Sequence, residues 1–120
     1  MNNRKQTGRQ GEALAAAYLV EKGYSIIERN WRCAAGELDI IAREEDRLVF
    51  IEVRTRRGQR FGSAEESITT AKQTRLIELA QIYVQEMYSV HPPSWRIDVI
   101  GVQLGPGLPR INHIENAVGW

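Results

Sequence analysis

The sequence predicts an α/β or α+β sandwich built on a mixed sheet. Three observations carry this. An alanine-rich helical segment opens the chain. Three short apolar strand segments follow, two of them close enough to form a hairpin. A long stripe of apolar residues at helical spacing then separates them from a further strand. The order helix, three strands, helix, strand sets helices against a mixed sheet.

The 120 residues suit a single domain, 1–120, with residues 1–6 expected to be flexible and 115–120 a tail. Hydrophobic residues at 42% and charged residues at 26% are usual for a soluble globular chain. No apolar run approaches the roughly 20 residues of a membrane span. The basic opening residues are not followed by the apolar block of a signal peptide. Cys33 is the single cysteine, so no internal disulfide forms and a reducing cytoplasm is the expected location. A net charge of +1 is too small for nucleic-acid binding through global charge, so such binding must come from local clusters.

The first helix is expected from Thr7, as a cap, to Lys22, with Gly23 ending it in a left-handed conformation. Ala13, Ala16 and Ala17 suit close packing on a sheet. Gly8 and Gly11 are poor helix formers, so the first turn is expected to be irregular or closely approached. Strands are expected at Tyr24–Trp31, Glu37–Ala42 and Arg47–Arg54, the last two joined by the charged turn Glu44–Asp46. Period 2 puts Leu48, Phe50, Glu52 and Arg54 on one face of the third strand. Both its faces are apolar, which predicts a central, covered position. A turn- and arginine-rich loop is expected over 55–64. The second helix is expected from Glu65 to Tyr88, with Ile68, Lys72, Leu76, Leu79, Ala80, Tyr83 and Met87 along one stripe. Pro92 and Pro93 break the chain. Trp95–Val102 reads as a fourth strand and Arg110–Ile114 as a short edge strand.

The chemistry concentrates in two carboxylates inside apolar strands, Asp39 and Glu52. An isolated charge in such a setting is costly and calls for a metal ion, a basic side chain or water. With the turn centred on Glu45, Asp39 would face Ile51. A one-residue shift would set the carboxylates opposite each other. Paired carboxylates without a His or Cys cluster suit Mg²⁺ or Mn²⁺ over zinc. Arg54 shares the face of Glu52. A metal, two carboxylates and a cation are the parts needed for phosphodiester hydrolysis. Either piece alone reads better as a surface ion pair or a cap; the combination is what points to a site.

The chain resembles the YraN family of small bacterial proteins, which is similar to Holliday junction resolvases. The resemblance rests on Gly8 to Glu12 with Ala13 and Ala17, Gly23-Tyr24, Asn30-Trp31-Arg32, Gly36-Glu37-Leu38-Asp39-Ile40-Ile41, Val49-Phe50-Ile51-Glu52-Val53-Arg54, Phe61-Gly62, Lys72, Arg75-Leu76, Arg96-Ile97-Asp98-Val99-Ile100 and Asn116-Ala117. It implies a single restriction-endonuclease-like αβββαβ core of the PD-(D/E)xK type. It further implies Asp39 and Glu52 as metal ligands, the Val53 carbonyl as a possible third, and Glu12 as an acidic partner reached directly or through water.

Arg54 stands where that motif ends in lysine. An arginine stays charged and cannot serve as a general base, although it can stabilise a phosphate. Lys72 either substitutes for the missing lysine or covers apolar surface with its stem. Glu37 reads as a solvated or salt-bridged residue and Asp98 as a partner for an arginine. Arg54, Arg56, Arg57 and Arg60 fall within seven residues with no acidic residue among them. With Arg9, they suit phosphate contacts without sequence readout. Three functions compete. The first is a metal-dependent endonuclease on branched or single-stranded DNA, and the second a DNA-binding module of the same fold with little activity. The third is an interaction or scaffold protein, associating as a homodimer through Trp31, Trp95 and the apolar tail 117–120. No membrane partner is expected.

Overall fold

Two apolar clusters, one on each face of a five-stranded sheet, organise the chain. The computed structural model describes residues 3–58 and 68–118. Its elements are α1 (Asn3–Glu21), β1 (Ser25–Cys33), β2 (Gly36–Glu44), β3 (Arg47–Arg57), α2 (Thr70–Met87), β4 (Trp95–Leu104) and β5 (Arg110–Ile114). The sheet order is β1-β2-β3-β4-β5. Pairs are antiparallel except β3–β4, which is parallel and needs the α2 crossover between its strands. The αβββαβ order is therefore present, with β5 as a short edge strand.

The period-2 pattern explains the two clusters. Leu48 and Phe50 of β3 pack with Leu76, Leu79 and Tyr83 of α2. Val49 and Ile51 pack on the other face with Ala15, Ala16 and Leu19 of α1. Leu48 through Glu52 are all buried, as expected of a central strand covered on both sides. Trp31 and Val118 are buried in the α2-side cluster and Trp95 packs against it. Trp31 and Val118 are thus part of the core, while Trp95 stays half-buried at its margin. Trp120 lies outside the described residues. No described helix is long and apolar enough to cross a membrane.

Several boundaries differ from expectation. Helix α1 starts at Asn3, not Thr7, because Arg4, Lys5 and Gln6 propagate a helix well. Residues 3–6 therefore form its first turn. The helix ends as expected: Gly23 has φ 98°, its N–H donates to the Val20 carbonyl, and the Tyr24 N–H donates to that of Leu19. Helix α2 begins at Thr70, after Ile68. Its cap is Thr69, whose hydroxyl accepts from the Lys72 N–H at 3.1 Å. The expected start at Glu65 lies outside the described residues. Strand β3 continues to Arg57, because Thr55, Arg56 and Arg57 pair with Val102, Gln103 and Leu104 of β4. Arg56 and Arg57 thus sit on a strand, not in a loop.

Candidate functional site

The β2–β3 turn sets the site. It has two residues, Glu45 and Asp46, closed by the Glu44–Arg47 pair. Glu45 takes a left-handed φ of 55°, which lets so short a turn close. Ile40 consequently meets Ile51, one residue away from the register with Asp39 against Ile51. Carried one step past this last pair, the register sets Asp39 opposite Glu52. There the ladder gives way, and Asp39 Oδ2 accepts the Val53 N–H at 2.8 Å.

A second irregularity faces the same point from β1. Arg29 pairs with Ile40 and Trp31 with Leu38, so Asn30 stands across from Asp39. Ile40 and Ala42 join the cluster under α1, yet Leu38 and Trp31 join that under α2. Side-chain alternation therefore breaks at Asp39 and Asn30. Asn30 has φ 57°, a conformation asparagine tolerates better than most residues. Its side chain hydrogen-bonds Glu12 of α1. Asn30 was missed as a site residue. The available signal was an asparagine inside an otherwise strand-forming segment.

Cations approach Glu52 from two elements. Its side chain is almost fully buried, and its Oε2 lies 3.6 Å from Arg54 Nη1 and 3.5 Å from Lys72 Nζ. Arg54 reaches it along β3, two residues on. Lys72 reaches it from the first turn of α2, where a cation is unfavourable toward the helix dipole. The Glu52 carboxylate offsets that cost.

Burial raises the Asp39 carboxyl to about 8, and the neighbouring Glu52 charge adds to it. The Val53 N–H opposes the rise but does not cancel it. Glu52 is within side-chain hydrogen-bonding reach of Asp39, so a proton between the carboxyls relieves their repulsion. Burial also raises Glu12, partly opposed by its hydrogen bond from Asn30. Among the described residues, no group of three or more His, Cys, Asp or Glu side chains is placed to hold a metal ion. The acidic centre is therefore the pair Asp39 and Glu52, with Glu12 set apart from it. Two buried oxygen donors that repel each other fit a hard divalent cation.

These residues open onto a groove of about 690 Å³ between α1 and β3. Glu12, Asp39 and Glu52 form its acidic part, Arg4, Arg54, Arg56 and Arg57 its basic part, and Val53 also lines it. Arg57 is held to α1, through Gln10 Oε1 at 3.0 Å and Thr7 Oγ1 at 3.4 Å. Gly11 lets α1 approach β3 this closely, since a Cβ there would lie 1.8 Å from Thr55 Oγ1. Arg9 is exposed on α1 but is not among the described residues lining the groove. Arg60 lies outside the described residues. Glu37 is taken up by Arg32, at 2.6 Å.

Asp98 belongs elsewhere, in a buried polar hub at the β4–β5 side. It accepts from Arg96 Nε at 2.9 Å and from the Asn116 N–H at 2.8 Å, and meets His113 Nε2 at 2.8 Å. Burial disfavours its charge, but these hydrogen bonds outweigh burial and lower its carboxyl below the usual range. Arg96 also bonds Tyr24 and Glu44. The expectation of an arginine partner for Asp98 is met two residues away.

The chain matches the Uncharacterised protein family UPF0102 over residues 11–102. It is 45% identical over 117 residues to a UPF0102 protein of Roseiflexus castenholzii, covering 96% of this chain and 94% of that one. It is 47% identical over 117 residues to one of Chloroflexus aurantiacus, covering 97% and 95%. It is 46% identical over 114 residues to one of Symbiobacterium thermophilum, covering 94% and 96%. These names state a family and no activity, and the resolvase likeness is not part of them. The match spans Glu12, Asp39, Asn30, Glu52 and Lys72 alike, and this chain belongs to the UPF0102 family.

Proposed function

We propose that this protein is a metal-dependent nuclease of the PD-(D/E)xK type, acting on the phosphodiester backbone of structured DNA. One observation carries the reading: two carboxylates are forced together at the floor of an arginine-lined groove, and the Asp39 carboxyl is raised to about 8. Asp39, Glu52 and the Val53 carbonyl would hold Mg²⁺ or Mn²⁺, with Glu12 reaching it through water. A bound divalent ion supplies polarisation of the phosphate and activation of water.

The chain's own residues do the rest. Arg54 keeps a fixed positive charge beside Glu52 and stabilises negative charge developing on the phosphate. Lys72 occupies the same space from α2 and, as a lysine, can exchange a proton where Arg54 cannot. Arg56 contacts the backbone along the groove, while Arg57 shapes its wall. These contacts address phosphate and not base edges, so recognition is by backbone and shape. The raised Asp39 carboxyl means that the metal-free site carries less negative charge than its formula suggests, and cation binding would release that proton.

Arg54 in place of lysine favours a second reading, a DNA-binding module of the same fold without turnover. Purified protein incubated with branched and single-stranded DNA in Mn²⁺ decides between them. Cutting that is lost in Asp39→Ala supports the nuclease. Salt-sensitive binding without cutting supports the module. Cutting that persists unchanged in Asp39→Ala sinks the metal-site assignment.

A further inference from the structure

Gly8 and Gly11 both lie within α1, where glycine is less favourable than almost any other residue. Gly11 is explained by the contact with Thr55. Gly8 has no such internal reason. A Cβ there would meet no atom of the described residues within 4 Å. Its φ is not left-handed, unlike those of Gly23, Gly36, Gly58 and Gly107. Neither packing nor backbone conformation therefore calls for glycine at this position.

Gly8 does line the groove. It lies one helical turn from Arg4 on one side and one turn from Glu12 on the other, so the three share a face. Arg54 and Arg56 line the same groove from β3. Bare helix backbone beside a row of phosphate-binding cations is a place where a ligand can approach more closely than any side chain allows.

We propose that Gly8 is a substrate-contact position, at which the sugar–phosphate backbone passes directly against α1 on its way to the acidic pair. This inference rests on the nucleic-acid reading of the groove and adds the path of the strand through it. A side chain at residue 8 would occupy the space of the phosphodiester chain. Because the contact is to backbone, it discriminates by shape and not by base.

Glycine here lowers stability and serves binding, so its replacement moves the two in opposite directions. The test measures thermal unfolding of the free protein and fluorescence-anisotropy binding of a branched oligonucleotide, both at fixed salt. It compares the wild type with Gly8→Ala, Gly8→Leu and Arg56→Ala. Gly8→Ala should raise Tm by a few degrees while weakening binding by roughly threefold to tenfold. Gly8→Leu should weaken binding further. If both Gly8 variants bind like wild type while Arg56→Ala binds less well, the proposal fails and the groove reading survives. A fall in Tm for Gly8→Ala would mean that another part of the chain fills the space, which also overturns the proposal. If wild type and Arg56→Ala alike fail to bind the oligonucleotide, both readings fall together.

Discussion

Lys72 Nζ, in the first turn of α2, stands 3.5 Å from Glu52 Oε2, in the middle of the sheet. Arg54 Nη1 approaches the same oxygen at 3.6 Å, so one buried carboxylate oxygen is shared by a lysine and an arginine from different elements. The two cations are not interchangeable, since one can exchange a proton and the other cannot. If Lys72 works as the proton-exchanging group, Lys72→Ala should lower the single-turnover cleavage rate by roughly a hundredfold or more. Lys72→Arg should restore charge and fold but not rate. Arg54→Lys should leave cleavage intact or raise it. Equal rates for Lys72→Arg and wild type would reassign Lys72 to charge balance alone.

Asp39 makes the metal-free protein sensitive to pH. Its folded-state carboxyl is raised to about 8 from an ordinary value of 3.8. Between those values the folded protein keeps a proton that the unfolded chain loses. The stabilising effect is complete below the ordinary value and is lost as pH rises through about 8. Asp39→Asn should therefore be more stable than wild type in EDTA at pH 8.5, by on the order of a few kcal/mol. At pH 5 the difference should be much smaller. Mg²⁺ or Mn²⁺ should raise the wild-type Tm and leave Asp39→Asn unmoved. Urea melts at the two pH values in EDTA measure the first two outcomes, and thermal melts with and without metal measure the third.

Gly11 and Thr55 set how near α1 lies to β3. A Cβ at residue 11 would stand 1.8 Å from Thr55 Oγ1 and 2.8 Å from its Cβ. Gly11→Ala should destabilise the fold by about 1–3 kcal/mol despite the better helix propensity of alanine. Thr55→Gly should recover much of that loss in the double variant, because it removes all three clashing atoms, Oγ1, Cβ and Cγ2. A double-mutant cycle from denaturant unfolding reads the coupling. Additive effects would mean that the two residues do not oppose each other.

The Asp98 hub should govern stability and leave the groove untouched. Asp98 is fully buried, and Arg96 nearly so. Asp98→Ala leaves a buried guanidinium without its main partner and should cost about 3–5 kcal/mol. The lowered carboxyl works in the opposite direction to Asp39: its contribution is present above the ordinary carboxylate range and is lost as pH falls through its folded value. Mn²⁺ affinity of the folded fraction should not change. A changed affinity at full folding would connect the hub to the site.

The order of elements was legible from local patterns. Gly23 ended α1, the alternation in residues 47–54 identified a central strand, and the stripe from Lys72 to Met87 identified α2. These signals act over a few residues, where backbone preference and side-chain period are enough. The identity of the acidic residues was legible too, because Asp39 and Glu52 are out of place among apolar neighbours. Their meeting was not. It depends on a two-residue turn at Glu45 and Asp46 that shifts the hairpin by one residue, and turn conformation is decided by the strands it joins.

Asn30 and Lys72 show the same limit. Nothing local says that Asn30 would turn left-handed opposite Asp39 and take hold of Glu12, since that follows from three elements packing at once. Lys72 was visible as a cation at the start of an apolar stripe, but only the crossover from β3 through α2 brings it to Glu52. The sequence by itself therefore determined an α/β chain carrying two carboxylates and a run of arginines. Tertiary structure decided that the carboxylates face each other, with one oxygen of Glu52 between a lysine and an arginine, because register and helix placement are set by burying both sheet faces together.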